Sequence, residues 1–165
     1  MDRLQTECGL SCIDNGVDKT MKIAVRKLRE DACIPEIQSS GAAGCDLHAC
    51  MQEEELKVPP GETRLIGTGL AMAIPEGYFG GVFARSGLAL KMGLRPANCV
   101  GVIDSDYRGE LKVPLHNDSG QERTVRKGER IAQLIIMPCA VPVFEEADSL
   151  QETERGDGGF GHTGL

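Results

Sequence analysis

Apolar and polar residues alternate in short runs along most of this chain. The first run covers residues 21–28, where apolar side chains alternate with charged ones as in a half-buried strand. Comparable runs follow, each preceded by a turn signal rich in Gly, Pro, Asn, Asp or charged residues. They span residues 63–74, 78–84, 98–103, 110–116, 121–126 and 130–137.

Short strands at this spacing are typical of an antiparallel sandwich or barrel. Only residues 88–92 have a helical pattern, and Ser86 just before them is a residue type that often caps helix N-termini. The pattern therefore predicts an all-β domain with one short helix.

The two ends of the chain depart from this pattern. Residues 1–20 are polar and lack periodicity, so we expect a flexible extension outside the core, and Met21 is a candidate for the natural start. The β domain is expected to cover residues 21–150. Residues 151–165 form a glycine-rich arm that we expect to be mobile.

Composition supports the β prediction and restricts the partners. The chain has 165 residues, 21 of them glycine, with four Phe, two Tyr and no Trp, which disfavours a helical bundle. Its net charge of −7 provides no general basic surface for nucleic acid. An anionic ligand would need a few local cations, backbone amides and a metal ion.

The seven cysteines and the absence of a signal sequence indicate in which compartment the protein is expected, the cytoplasm. No two cysteines form a CxxC pair, so we expect reduced, buried thiols in a cytoplasmic protein rather than zinc ligands or disulfides. The most apolar stretch, residues 134–144, contains two prolines and is too short to span a bilayer.

The last eleven residues carry candidate chemistry. Five glycines surround Phe160, with Arg155 at one end and His162 and Thr163 at the other. Unshielded backbone amides, a guanidinium and a hydroxyl suit phosphate oxygens, and a lone aromatic ring suits the face of a base. The alternative is a disordered polar terminus.

Two further segments suit a nucleotide. A helix that begins near Ser86 would present free amides beside Arg85, which suits a phosphate, although ordinary helix capping explains the same residues. Residues 104–109 place two carboxylates and the Tyr107 phenol on one hairpin, and Asn98 before them carries an amide able to read a base edge. A plain Asp-rich turn is the alternative.

Asp46 is a lone carboxylate among small residues, within residues 41–49. Small neighbours permit the close approach of another element. The residue is either a metal ligand that acts through water or simply a turn residue.

Taken together and in this order, five stretches resemble the motifs of the trimeric dUTPase family, the dUTP nucleotidohydrolases. Each stretch alone is a weak signal, but five in register are specific. The resemblance covers everything except the extension. The stretches are residues 43–47, 85–87, 98–109, 128–134 and 155–164.

The resemblance implies a jelly-roll-like, distorted β-barrel subunit in a homotrimer whose active sites are shared between chains. It also implies Mg²⁺-dependent hydrolysis of dUTP to dUMP and pyrophosphate, which supplies dUMP for thymidylate synthesis and keeps uracil out of DNA. Neither nucleic acid nor a membrane is an expected partner.

Residue by residue, the resemblance implies that Asp104 orients and deprotonates the attacking water and that Asp46 holds Mg²⁺ through its waters. Tyr107 would lie against the deoxyribose and leave no room for a 2′-hydroxyl. The base and sugar would be bound by Asn98, Gly101, Val102, Ile103, Tyr107 and Phe160. The phosphates would be bound by Arg85, Ser86, Gly87, Gln133, Arg155, Gly161, His162 and Thr163.

Two alternatives stay open at this point. A dCTP deaminase, or its bifunctional relative, shares the fold, but its pattern has a second serine where this chain has Gly87. A non-enzymatic regulatory protein of the same fold, docking through the extension, is the other. A decayed site would be expected to lose Asp104, Arg155 or Phe160, and all three are present.

Overall fold

The computed structural model describes residues 21–159 of the chain. This part contains eleven strands and one helix. The strands are β1 Ala24–Lys27, β2 Cys45–His48, β3 Glu55–Val58, β4 Thr63–Gly67, β5 Leu70–Ala73, β6 Tyr78–Phe83, β7 Leu94–Pro96, β8 Val100–Ile103, β9 Lys112–Asn117, β10 Arg123–Arg126 and β11 Arg130–Pro138, and the helix is α1 Ser86–Met92.

The strands pair antiparallel in four small sheets. Two sheets have two strands each, β1 with β5 and β3 with β10, and a third has the order β4-β9-β7. The fourth has the order β2-β11-β6-β8, so β2 and β8 are its edges. Over residues 21–159 the ladders do not join into one closed barrel. The predicted all-β fold with one short helix is confirmed.

One main hydrophobic core holds the sheets together. It is formed by the buried residues of strands in which buried and more exposed positions alternate. Along β9 the even-numbered residues Lys112, Pro114 and His116 are exposed or half-buried, whereas Val113 and Leu115 are buried. The central strand β11 adds Ile131, Ala132 and Leu134 from a longer apolar run. Burial of such side chains contributes roughly 1.5–3 kcal/mol each.

Every predicted run contains a strand, but several strands begin later than their runs and one run is broken in two. The run over residues 63–74 is interrupted by Thr68 and Gly69, because Gly69 turns the chain with a φ of +67°. A side chain there would also collide with Cys50, whose Sγ lies 2.8 Å from the position of an added Cβ. Strand β8 begins only at Val100, after Cys99, which has a φ of 61°. Among residues 21–159, Cys99 is the one non-glycine residue with a positive φ.

The prediction that Ser86 caps the helix is wrong. Ser86 is the first helical residue, and the N-cap is Arg85, which is extended and makes no side-chain capping bond. The helix ends at Met92, and the left-handed φ of 65° at the C-cap residue Gly93 lets its N–H donate to the Ala89 carbonyl.

The expectation of buried thiols is only partly correct. Of the five cysteines in the described part, all of them free, Cys50 is buried and Cys45 is half-buried. Cys33, Cys99 and Cys139 are exposed in the single chain. Burial raises the pKa of the Cys45 thiol, so it stays protonated and donates to the Leu134 carbonyl at 3.6 Å.

Residues 139–159 follow β11 without a strand or helix. Their large apolar side chains face solvent in the single chain: Val141, Val143, Phe144 and Leu150 are each more than 80% exposed. No helix within residues 21–159 is long and apolar enough to cross a membrane.

Candidate active site

The prediction of a hairpin at residues 104–109 is wrong, because β8 and β9 belong to different sheets and do not pair with each other. Residues 104–111 instead form a loop that joins the two strands, the β8–β9 loop, and its own hydrogen bonds close it. The Tyr107 N–H donates to the Asp104 carbonyl at 3.2 Å. The Arg108 guanidinium donates to the carbonyls of Ser105 at 2.6 Å and Tyr107 at 2.9 Å. These bonds give the exposed turn a defined shape.

A cleft of about 290 Å³ lies beside this loop. Exposed apolar side chains form part of its wall, with Val102 60% and Leu65 64% exposed. Asp104 contributes an exposed carboxylate. The full lining is Leu65, Val102, Ile103, Asp104, Tyr107, Glu110 and Lys112.

Tyr107 is held within the β8–β9 loop by a close backbone approach. Its hydroxyl donates to the Glu110 carbonyl at 3.1 Å. The ring passes so near Gly109 that an added Cβ there would lie 2.6 Å from Tyr107 Cζ. Gly109 is therefore needed for the ring to occupy this position.

Asn98 lies over the backbone of β8. A Cβ added to Gly101 would be 3.3 Å from Asn98 Nδ2 and 3.2 Å from Val82 Cβ. The Asn98 amide is exposed and forms no side-chain hydrogen bond within residues 21–159, so its donor and acceptor are available.

A second group of predicted residues meets at β2. Asp46 Oδ1 accepts a hydrogen bond from Arg85 Nε at 2.7 Å, and its Oδ2 lies 3.3 Å from Arg130 Nη1. Gln133 on β11 is paired with Asp46 in register and donates to the Ala84 carbonyl at 2.8 Å. Three predicted stretches are thus brought together around one carboxylate.

His48 lies near this group on the same strand. Its Nδ1 is buried and, among the described residues, is the one buried side-chain nitrogen or oxygen without a hydrogen-bond partner. Burial lowers the pKa of His48, and the nearby Asp46 carboxylate opposes that shift. The ring is therefore disposed to be neutral.

The two groups occupy opposite edges of the same sheet. Asp46, Gln133, Phe83 and Val100 are partners in one row across β2, β11, β6 and β8. Neighbouring strands lie about 4.8 Å apart, so β2 and β8 are roughly 14 Å apart. Asp104 lies four residues beyond Val100, just past the end of β8, which separates it further from Asp46.

Sequence reasoning missed several residues of these groups. Arg130 lies within the matched stretch 128–134 but was not assigned a role, and it is a partner of Asp46. Leu65, Glu110 and Lys112 line the cleft, and nothing in the local sequence identified them.

The remaining predicted residues are only partly described. Gly87 has no atom within 4 Å of an added Cβ, so space is open above the start of the helix. Arg155 is exposed and donates to the Gly158 carbonyl at 2.8 Å. Phe160, Gly161, His162 and Thr163 lie outside the described residues.

Comparison with known proteins identifies this arrangement. A protein-family model described as dUTPase matches residues 30–164. The deoxyuridine 5′-triphosphate nucleotidohydrolase of Hydrogenobaculum sp. (strain Y04AAS1) is 49% identical over 145 residues, which is 88% of this chain and 99% of that protein.

Two solved structures are similar in fold. A mutant dUTPase of Staphylococcus bacteriophage 80alpha, solved with dUpNHpp, has a TM-score of 0.80 and 29% identity, covering 88% of this chain and all of that one. A mutant dUTPase of phage phi11 of S. aureus, described with a structural Mg(II) ion, has a TM-score of 0.72 and 26% identity, covering 80% of this chain and all of that one. Because the family model matches residues 30–164 and a 49% identical relative is covered over 99% of its length, the chain is an enzyme of the dUTPase family.

Proposed function

We propose that this chain hydrolyses dUTP to dUMP and pyrophosphate with Mg²⁺ on the triphosphate, as a homotrimer whose chains complete each other's active sites. The observation that carries the proposal is the cleft beside the β8–β9 loop, where Asp104 and Tyr107 flank an unpaired strand edge. The reaction supplies dUMP for thymidylate synthesis and keeps uracil out of DNA.

The free edge of β8 suits a pyrimidine. Its residues pair with β6 on one side only, so the other side of the backbone of Gly101, Val102 and Ile103 is unpaired within the described chain. Backbone N–H and C=O groups together with the Asn98 amide would satisfy the uracil edge. Cytosine would leave buried polar groups mispaired, which costs more than the loss of an apolar contact.

Asp104 is the proposed general base. It would accept a proton from a water whose oxygen forms the new bond to the α-phosphorus, while the bond from that phosphorus to the pyrophosphate oxygen breaks. Its exposed carboxylate at the mouth of the cleft is accessible to such a water. General bases contribute roughly 10²–10⁴-fold to rates.

The phosphates would be bound at the other group. Arg85, Ser86, Gly87 and Gln133 surround the start of the helix, where the open space above Gly87 admits a ligand. Arg155, Gly161, His162 and Thr163 would close over the phosphates and Phe160 would stack on the base. Phosphoryl transfer depends mainly on such positioning and charge neutralisation.

The residues present fit Mg²⁺ held largely by substrate. Within residues 21–159 no three His, Cys, Asp or Glu side chains gather into a metal site. Magnesium keeps several waters and commonly binds through one or two carboxylates plus phosphates. Asp46, already facing two arginines, would accept hydrogen bonds from those waters, and the ion would neutralise charge on the triphosphate.

The separation of the two groups supports sharing between chains. A base at β8 and phosphates at β2 of the same chain would be at least about 14 Å apart across the sheet. The exposed apolar side chains of residues 141–150 provide surface for an inter-chain contact. One chain would thus bind the base while another binds the phosphates.

The substrate assignment is tested by pyrophosphate release from dUTP, dTTP, dCTP and UTP, with and without Mg²⁺. We expect rapid turnover of dUTP with Mg²⁺ and little turnover of the others. Ammonia release from dCTP would instead identify a deaminase, and equal rates on dUTP and UTP would contradict the role of Tyr107.

Site sharing is tested by mixing two inactive proteins. Asp104→Asn lacks the base, and a chain truncated before Arg155 lacks the arm. Mixed trimers contain some sites in which an intact arm meets an intact Asp104, so activity should partly return. No recovery after verified subunit exchange would contradict shared sites.

A further inference from the structure

The turn between β4 and β5 is hydrogen-bonded to the last two residues of the β8–β9 loop. The Leu111 carbonyl accepts from both the Thr68 N–H at 3.1 Å and the Thr68 hydroxyl at 2.8 Å. The Gly69 N–H donates to the Glu110 carboxylate at 3.0 Å, and the Leu111 N–H donates to the Leu70 carbonyl at 2.8 Å. We call these four hydrogen bonds the turn clamp.

The turn clamp is rigid because its parts are buried or sterically fixed. Thr68 and Leu111 are almost completely buried. Gly69 cannot be moved easily, since Cys50 and Ala32 pack directly against it. The Lys112 ammonium also lies 3.4 Å from the Glu110 carboxylate.

The clamp acts on Tyr107 through a single backbone atom. The Tyr107 hydroxyl donates to the carbonyl of Glu110, the residue whose side chain is held by Gly69. A side chain at Gly109 would collide with the hydroxyl end of the same ring. The position of the phenol therefore depends on where the clamp places the Glu110 backbone.

We infer that Thr68 and Glu110 are positioning residues that fix Tyr107 and thereby set the preference for deoxyribonucleotides over ribonucleotides. The inference rests on the proposed function, in which Tyr107 lies against the deoxyribose. The Tyr107 ring excludes a 2′-hydroxyl only if the ring cannot move away from the sugar by about the size of that group. Small displacements of positioning groups are known to cost up to about 10²-fold in rate.

The measurement is the ratio of kcat/KM for dUTP to that for UTP. Both substrates have the same base and phosphates, so the ratio isolates recognition of the sugar. Thr68→Val removes the hydroxyl with little change in volume, whereas Thr68→Ser keeps the hydroxyl. Glu110→Ala removes the acceptor for the Gly69 N–H, whereas Glu110→Gln keeps an acceptor and removes only the charge.

We expect Thr68→Val and Glu110→Ala to lower the ratio about tenfold, mainly through faster turnover of UTP. In Thr68→Ser and Glu110→Gln the ratio should stay within about twofold of the wild type. Thermal melting identifies variants that do not fold. Should Thr68→Val be one of them, the less buried Glu110→Ala carries the test.

Tyrosine fluorescence gives a second measurement, which general destabilisation of the fold would not change. The chain has two tyrosines and no tryptophan, so Tyr78→Phe leaves Tyr107 as the one tyrosine fluorophore. In that background, Thr68→Val should lower the steady-state anisotropy of the folded protein, and Thr68→Ser should not.

Tyr107→Ala separates failure of the inference from failure of the proposed function. If Tyr107→Ala leaves the ratio unchanged, the proposed role of Tyr107 is wrong. If it lowers the ratio while folded Thr68→Val and Glu110→Ala keep the wild-type ratio and anisotropy, the clamp has no positioning role and the inference is overturned.

Discussion

Gly101→Ala should impair base recognition while leaving the fold in place. The new methyl group would lie 3.2 Å from Val82 Cβ and 3.3 Å from Asn98 Nδ2. Optimal separations between carbon atoms are about 3.5–4.0 Å, so both neighbours must give by a few tenths of an ångström. Val82 is buried in the core, whereas Asn98 is exposed, so Asn98 is the side chain that moves.

The expected magnitudes follow from these contacts. Overpacking costs about 1–3 kcal/mol, and replacing glycine with alanine returns about 0.4–1 kcal/mol through the unfolded state. The free energy of unfolding should therefore fall by about 1 kcal/mol. A misplaced hydrogen bond to the base is worth about 0.5–1.5 kcal/mol, which corresponds to a loss of up to about tenfold in kcat/KM for dUTP.

Gly120→Ala is the matched control. No atom lies within 4 Å of a Cβ at Gly120, which is an exposed turn residue. Urea denaturation and dUTP kinetics should show a slightly more stable enzyme with wild-type kcat/KM. If Gly101→Ala matched Gly120→Ala in both assays, the contact between Asn98 and the strand backbone would have no part in base binding.

Three further outcomes are expected. Asn117→Ala should lower the free energy of unfolding by about 3 kcal/mol. The reason is that the buried Asn117 amide donates to the Val58 and Gln121 carbonyls at 2.8 Å and accepts from Ser119. A loss below about 1 kcal/mol in urea denaturation would contradict this. Asp31 lies 2.7 Å from the Lys127 ammonium, and hydrogen bonds first from Lys127 and then from Arg29 hold the pKa of its carboxyl well below the ordinary 3.8. Because the pKa of this carboxyl is lower in the folded protein than in the unfolded chain, Asp31 stabilises the fold at pH values above the unfolded pKa. The difference in Tm between wild type and Asp31→Asn should therefore be constant above about pH 5 and shrink below pH 3.8. A difference that grows on acidification would refute this prediction. Asp104→Asn should bind dUTP with unchanged affinity in calorimetry but turn over at least about 10²-fold more slowly, and near-normal turnover would assign the base to another group.

Hydrophobic alternation predicted most of the strands, and the agreement is best for the longest one. The run at residues 130–137 matches β11, Arg130–Pro138, almost residue for residue. Strands β2, β3 and β7 were missed, and β7 has only three residues, too few for a period to be recognised. β7 also ends in a proline, which ordinarily argues against a strand.

The contacts of the site depend on register, which local sequence does not reveal. Asp46 and Arg85 are 39 positions apart, and Asp46 and Arg130 are 84 apart. They meet because β11 aligns Gln133 with Asp46 on one side and Phe83 on the other. The sequence predicted Asp46 and Arg85 as functional residues, but not that one would neutralise the other.

The left-handed backbone at Cys99 sets a limit on how this enzyme can be made more thermostable. An L-residue in that conformation costs on the order of 1–3 kcal/mol, which glycine would largely recover. Selection for heat resistance alone would therefore favour glycine at position 99. Glycine at this position would also make the connection between Asn98 and β8 more flexible. Because β8 lines the cleft, selection for turnover would oppose the change. Libraries screened for both properties should retain a side chain at this position.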